Sequence, residues 1–83
     1  MPKVTLYTRA GCHLCDDARK VLDSARARAE FELEILDIDA DQELRRLYNE
    51  EVPVIAIDGI KAFKYRLTQD EFLKKLRARR ALQ

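Results

Sequence analysis

The feature that most constrains this chain is a change of hydrophobic period close to its start. Val4-Thr5-Leu6-Tyr7-Thr8 is a short β-rich run that breaks at Arg9-Ala10-Gly11, after which Cys15, Ala18, Leu22, Ala25 and Ala29 recur at helical spacing. Val21 widens that apolar stripe, while Asp17, Lys20, Asp23, Arg26 and Arg28 fall mainly on the solvent side. Phe31, Leu33 and Ile35 then alternate with Glu32 and Glu34, and Leu36 and Ile38 follow on the opposite face, as in a strand partly covered on both sides. Strand, helix and strand in this order imply a parallel pair with a right-handed crossover, the hand in which a right-twisted strand and a right-handed helix pack back onto one sheet.

The remainder of the chain completes a small α/β unit. Asp39 can cap a second helix with Gln42 three residues on; Leu44, Leu47 and Tyr48 supply its apolar stripe, and it ends near Asn49. Val52-Pro53-Val54-Ile55-Ala56-Ile57 is a dense apolar run, and the Asp58-Gly59 that follows is a strong hairpin signal, so Ile60 to Tyr65 should return antiparallel. Thr68-Gln69-Asp70-Glu71 is a capping box for a last helix whose apolar face begins with Phe72, Leu73 and Leu76 and which frays from Arg79 to Gln83. The predicted order is βαβαββα, a four-stranded mixed sheet flanked by helices. At 83 residues there is room for one core, so residues 1–83 are read as a single domain, without repeats, low-complexity stretches or linkers.

Charge narrows the range of partners. Sixteen Lys and Arg against fifteen Asp and Glu give a net charge of +1, which provides no overall field to gather nucleic acid or anionic lipid. The exception is the basic cluster Lys74, Lys75, Arg77, Arg79 and Arg80, for which solvation and compensation of a helix dipole are the ordinary explanation. Met1-Pro2-Lys3 runs straight into the first strand, with no apolar segment of leader or membrane-spanning type, so the chain is expected in the cytoplasm, away from membranes. Nothing in the sequence specifies a dimer, and a monomer is expected.

Cys12 and Cys15 are the only cysteines. Three positions apart, they close almost no loop, so a bond between them adds little stability and its value must be chemical. Cys12 falls where the first strand gives way to the first helix. There, unpaired N–H groups and the positive end of the dipole stabilise a thiolate and lower a cysteine pKa from ~8.5 into the range ~3.5 to 7.5. Cys12 is therefore the nucleophile candidate, and Cys15, on the apolar stripe with Ala18 and Leu22, the resolving thiol. Asp16 and Asp17 act against a Cys12 thiolate. A structural zinc needs about four ligands, whereas the chain offers two cysteines and one histidine, with His13 wedged between them.

Tyr7-Thr8-Arg9-Ala10-Gly11-Cys12-His13-Leu14-Cys15, the βαβαββα order and Val52-Pro53 together resemble a glutaredoxin-type thioredoxin fold over nearly the whole chain. The resemblance is closest to small glutaredoxin-like proteins with His and Leu between the cysteines, where the wider family usually has Pro and Tyr. A protonated His13 would favour the Cys12 thiolate; a neutral, solvent-facing ring would do little. The resemblance implies that Val52-Pro53 is a cis peptide opposite the dithiol, that the Val52 backbone pairs with an extended disulfide substrate or glutathione, and that Pro53 denies the sulfurs to a metal ion. It places Arg9 where glutaredoxins often carry a Lys that meets a glutathione carboxylate. The family's second glutathione element, a glycine pair followed by an acidic cap, is missing: the stretch reads Ala62-Phe63-Lys64-Tyr65-Arg66-Leu67, and Thr68 and Gln69 open a helix N-terminus that could hold an anion instead.

These readings lead to a thiol–disulfide oxidoreductase, an enzyme or electron carrier that reduces protein or glutathione mixed disulfides through Cys12 and Cys15. Its potential would lie roughly between −200 and −270 mV. No tightly bound cofactor is expected; glutathione is a candidate co-substrate, and glutathione or a flavoprotein reductase the candidate reductant. Two other readings are a [2Fe-2S] carrier ligated by Cys12 and glutathione, against which the missing glycine pair argues, and an interaction module with an idle dithiol that docks through the basic last helix.

Overall fold

The computed structural model describes residues 1–81. Its elements are β1 (Lys3–Thr8), α1 (His13–Ala25), β2 (Glu32–Asp37), a single 3-10 turn (Ile38–Ala40), α2 (Gln42–Tyr48), β3 (Val54–Ile57), β4 (Ile60–Lys64) and α3 (Gln69–Ala81). The sheet order is β2-β1-β3-β4, with β1 parallel to β2 and antiparallel to β3, and β3 antiparallel to β4. This is the expected four-stranded mixed sheet, and its architecture is the thioredoxin fold. No helix among the described residues is long and apolar enough to cross a membrane.

Alternation along the strands divides the sheet into two unequal faces. Val4 and Leu6 of β1 and Ile55 and Ile57 of β3 point into a core shared with Ala18, Leu22 and Ala25 of α1 and with Phe72, Leu73 and Leu76 of α3. Phe31 meets Phe72 edge-on at a centroid distance of 5.3 Å, sealing one end of that core. The opposite face carries Thr5 and Tyr7, and Tyr48 of α2 lies over Tyr7 with ring centroids 4.6 Å apart. Burial, followed by the neighbouring Tyr48 and Glu34, raises the Tyr7 hydroxyl pKa above its ordinary value. α2 contributes no fully buried residue and Leu47 is 45% exposed, so this layer is thin. Accordingly the four inner residues of β2 are all half-buried, as its two-sided apolar pattern predicts.

Several boundaries differ from expectation, each for a local reason. The helix stripe ends at Ala25 rather than Ala29, because the following residues form a turn in which Ala29 N–H still bonds Ala25 C=O at 3.0 Å. Phe31 lies before β2 and Ile38 beyond it, yet both are buried, so they act as core plugs rather than strand residues. Asp39 does not cap α2. Asp41 does, its carboxylate accepting from the N–H groups of Glu43 at 2.8 Å and Leu44 at 3.3 Å, while Asp39 sits in the 3-10 turn capped by Asp37. β3 begins at Val54, after Val52 and Pro53. α3 runs unbroken to Ala81, past the expected start of fraying at Arg79, and Leu82 and Gln83 lie outside the described residues.

The hairpin shows how sequence and geometry join. Asp58 and Gly59 both take positive φ, 52° and 83°, the pattern of a type I′ turn whose twist matches the strands. Its pairing slips between Ile55 and Ala56, where Ile55 faces Phe63 but Ala56 faces Lys61. The extra residue, Ala62, is a bulge that leaves Lys61 and Lys64 on one face although they are three apart in sequence. Both reach Glu51, Lys61 at 2.9 Å and Lys64 at 3.7 Å.

Candidate functional site

The C-terminal end of β1 delivers the chain to the dithiol. Gly11 takes φ +76°, turning the backbone sharply, and Cys12 follows as the N-cap of α1 in an extended conformation (φ −97°, ψ 109°). Its Sγ accepts the Cys15 backbone N–H at 3.1 Å, the role that a serine or aspartate oxygen plays at other N-caps. The same donor, with the dipole of a 13-residue helix behind it, would stabilise negative charge on that sulfur. Cys12 and Cys15 are joined as a disulfide with Cα atoms 5.2 Å apart, within the range the bond requires. The pair is asymmetric: Cys12 is partly exposed, whereas Cys15 is 2% exposed beneath it. His13, the first helical residue, is exposed, and Leu14 is half-buried.

Sheet register brings Val52 and Pro53 to the same end. Tyr7 pairs with Val54, so the two residues before Val54 lie beyond the end of that ladder, on the side where β1 leads into Arg9 and Cys12. The Val52–Pro53 peptide is cis, as the resemblance implied, and the Pro53 side chain is fully buried. Pro53 C=O accepts from Tyr65 N–H at 2.8 Å. Among the described residues, neither the N–H nor the C=O of Val52 has a hydrogen-bond partner, so both remain available to an extended chain.

Arg9 and Thr68 have partners within the chain. The Arg9 guanidinium donates to Asp39 through Nε at 3.1 Å and Nη2 at 2.7 Å, and through Nη1 to the Asn49 carbonyl at 3.1 Å. That two-point bond from Arg9 holds the Asp39 carboxyl below its ordinary pKa, outweighing the opposing effect of partial desolvation. A ligand carboxylate would meet Arg9 only in competition with Asp39. Thr68 Oγ1 donates to the Glu71 carboxylate at 2.9 Å and accepts the Glu71 N–H at 3.1 Å, the expected capping box. Asp70 and Glu71 thus supply the negative charge in the first turn of α3.

Sequence reasoning missed the residues that hold the loop before Pro53. Asn49 is held through its carbonyl by Arg9, Glu50 through its carbonyl by the Tyr65 hydroxyl at 3.1 Å, and Glu51 through its carboxylate by Lys61 and Lys64. The hydrogen bond from Lys61, ahead of its charge and that of Lys64, keeps the Glu51 carboxyl below its ordinary pKa. Tyr65 does this from the left-handed region, φ 68°, a conformation that costs a non-glycine residue about 1–2 kcal/mol and one a glycine would take freely. No sequence signal announced these pairs, because they join residues 15 to 40 positions apart or depend on the bulge at Ala62. Between α1 and the segment after β4 lies a cleft of about 230 Å³, lined by Leu14, Asp17, Val21, Tyr65 and Arg66 among others. Of its lining residues, Leu14 stands between the two cysteines in sequence.

Comparison with known proteins agrees with this arrangement. A protein from Nitrosomonas europaea, solved by NMR, is 35% identical and superimposes with a TM-score of 0.78 over 90% of this chain and 91% of that one. A protein from X. campestris, solved by X-ray diffraction, is 33% identical with a TM-score of 0.75, covering 90% of this chain and 96% of its own. Chloroplastic thioredoxin z shares the fold at a TM-score of 0.81 with 13% identity, over 98% of this chain and 80% of that one. Residues 3–77 match the family described as Glutaredoxin-like domain (DUF836). With the cysteine pair at the head of α1 and the cis proline at the same end of the sheet, that match makes this chain a member of the glutaredoxin-like family of the thioredoxin fold.

Proposed function

We propose that this protein is a thiol–disulfide oxidoreductase in which Cys12 is the nucleophile and Cys15 the resolving thiol. The observation that carries the reading is the asymmetry of the pair: a partly exposed sulfur at the α1 N-cap that receives a backbone N–H, above a sulfur buried in the helix stripe. In the reduced protein, the Cys12 thiolate attacks one sulfur of a substrate disulfide, and the departing sulfur leaves as a thiolate that takes a proton from solvent. Cys15 then loses its proton and attacks Cys12 Sγ, which closes the Cys12–Cys15 disulfide and releases the second substrate thiol. Two electrons pass to the substrate, and the reverse exchange with glutathione or a flavoprotein reductase restores the dithiol. The two sulfurs carry the electrons, so this reading needs no tightly bound cofactor.

Protein disulfides and glutathione mixed disulfides are the substrate class, with the unpaired Val52 backbone and Pro53 as the docking edge and His13 beside the reacting sulfur. Arg9 and Thr68 would serve mainly by holding that edge and the start of α3. The expected setting is the cytoplasm, as a monomer, where the reducing environment keeps an exposed dithiol cycling.

The test is reduction of a glutathione mixed disulfide and of a peptide disulfide, supplied once with glutathione plus glutathione reductase and once with thioredoxin reductase. Wild-type protein turns over with at least one supply, Cys12→Ser abolishes turnover, and Cys15→Ser accumulates mixed disulfides with substrate. Undiminished turnover by Cys12→Ser would overturn the reading.

A further inference from the structure

We propose that the cleft between β4 and the C-terminal half of α3 is a docking surface for an acidic protein segment that presents an apolar anchor side chain. The cleft has a volume of about 270 Å³; Ile57, Ile60, Ala62 and Ala78 form its apolar lining, and Lys61, Lys75 and Arg79 line it as well. Ile60 is 53% exposed at the start of an edge strand, an unusual place to leave a large aliphatic side chain beside an open apolar hollow.

The charged residues that line this cleft, Lys61, Lys75 and Arg79, are all basic, Lys61 being paired with Glu51 at 2.9 Å, and from Phe72 onward the sequence has Lys74, Lys75, Arg77, Arg79 and Arg80 and no acidic residue. Compensation of the helix dipole does not account for this, because that effect is confined to the last turn, whereas Lys74 and Lys75 stand in the middle of a helix that runs Gln69–Ala81. Among the described residues the Lys75 ammonium has no hydrogen bond or ion pair. The Nε of Arg79 is buried without a hydrogen bond, and its ion-pair contact, Asp58 Oδ2, is 3.7 Å away. The unpaired Lys75 ammonium, with the positive charge of Arg79 next to it, calls for carboxylate oxygens, and the apolar lining calls for a leucine- or phenylalanine-sized group.

A protein segment fits these features better than nucleic acid or lipid. Among the described residues no aromatic side chain lines the cleft to stack a base, and the hollow is a small pocket rather than the extended apolar face that a bilayer engages. Position supports a docking role as well. Ile57 pairs with Ile60 and with Val4, near the start of β1, so the cleft lies at the end of the sheet opposite the one that leads to Cys12. A partner held there leaves the dithiol open to react.

The test is titration of the full chain with a fluorescent synthetic peptide in which leucines are flanked by glutamates, read by anisotropy and by amide chemical-shift mapping. Parallel arms use the same peptide with serine for leucine, a single-stranded oligothymidylate, and phosphatidylserine-containing vesicles. The expected result is binding of the leucine peptide alone, with shifts centred on Ile60, Ala62, Lys75 and Ala78. Ile60→Ser and Lys75→Glu should each weaken it roughly tenfold, as loss of one interface hot spot does, with circular dichroism and disulfide-exchange rate unchanged. No binding, equal binding of the serine peptide, shifts centred elsewhere, or a preference for the oligonucleotide or the vesicles would each overturn the proposal. Using two variants on different elements keeps the test sound if one of them fails to fold.

Discussion

Arg9 grips Asp39 at two points, Nε to Oδ2 at 3.1 Å and Nη2 to Oδ1 at 2.7 Å, and with its remaining nitrogen holds the carbonyl of Asn49. One side chain thereby ties the loop before Cys12 both to the turn after β2 and to the end of α2. Replacing Arg9 by lysine keeps the charge but loses the planar fork, so it cannot serve both partners. Arg9→Lys should raise amide hydrogen exchange at Asn49 to Val52 and slow disulfide exchange with peptide substrates, while the global unfolding midpoint moves little. An unchanged exchange pattern would show that the fork is not what orders this loop.

Acid should loosen the same region. Asp39 and Glu51 have carboxyl pKa values lowered by hydrogen bonds from Arg9 and Lys61 respectively. A carboxyl that binds protons less readily folded than unfolded stabilises the protein above its unfolded pKa, and that stabilisation is lost as pH falls through the folded value. The urea midpoint should therefore hold steady near neutrality and decline below the ordinary values of 3.8 for Asp39 and 4.5 for Glu51. Arg9→Gln and Lys61→Gln should flatten that acid limb; measuring the midpoint against pH for the three proteins checks the sign.

The hairpin turn isolates a conformational effect. A Cβ built on Gly59 meets nothing within 4 Å, but the residue sits at φ +83°. Gly59→Ala should therefore destabilise by about 1–2 kcal/mol through backbone strain alone, and Gly59→Asn by less, since asparagine tolerates the left-handed region. Equal losses in both variants by chemical denaturation would point to a contact instead.

Phe72 is the largest of the fully buried side chains and lies against Phe31. Phe72→Ala should cost about 3–5 kcal/mol, a large share of the stability of a domain this small. Calorimetry should find most of the variant unfolded at temperatures where the wild type is folded; a midpoint within a few degrees of wild type would mean that α3 is not held by this contact.

What the sequence determined by itself was whatever depends on neighbours along the chain. The strand-to-helix change of period around Cys12, the Asp58-Gly59 turn and the Thr68 to Glu71 box are short-range signals, and each is found where expected. Their order was enough to predict the mixed sheet, because a crossover and a hairpin leave few ways to pair four strands. Tertiary structure decided what depends on pairing across the chain. It moved the α2 cap to Asp41 by drawing Asp39 to Arg9, committed Arg9 to its own protein, and through the bulge at Ala62 turned Lys61 and Lys64 onto Glu51. A charged side chain has many partners available in an unfolded chain, and only the folded backbone, by setting distances and register, reduces them to the one or two within reach.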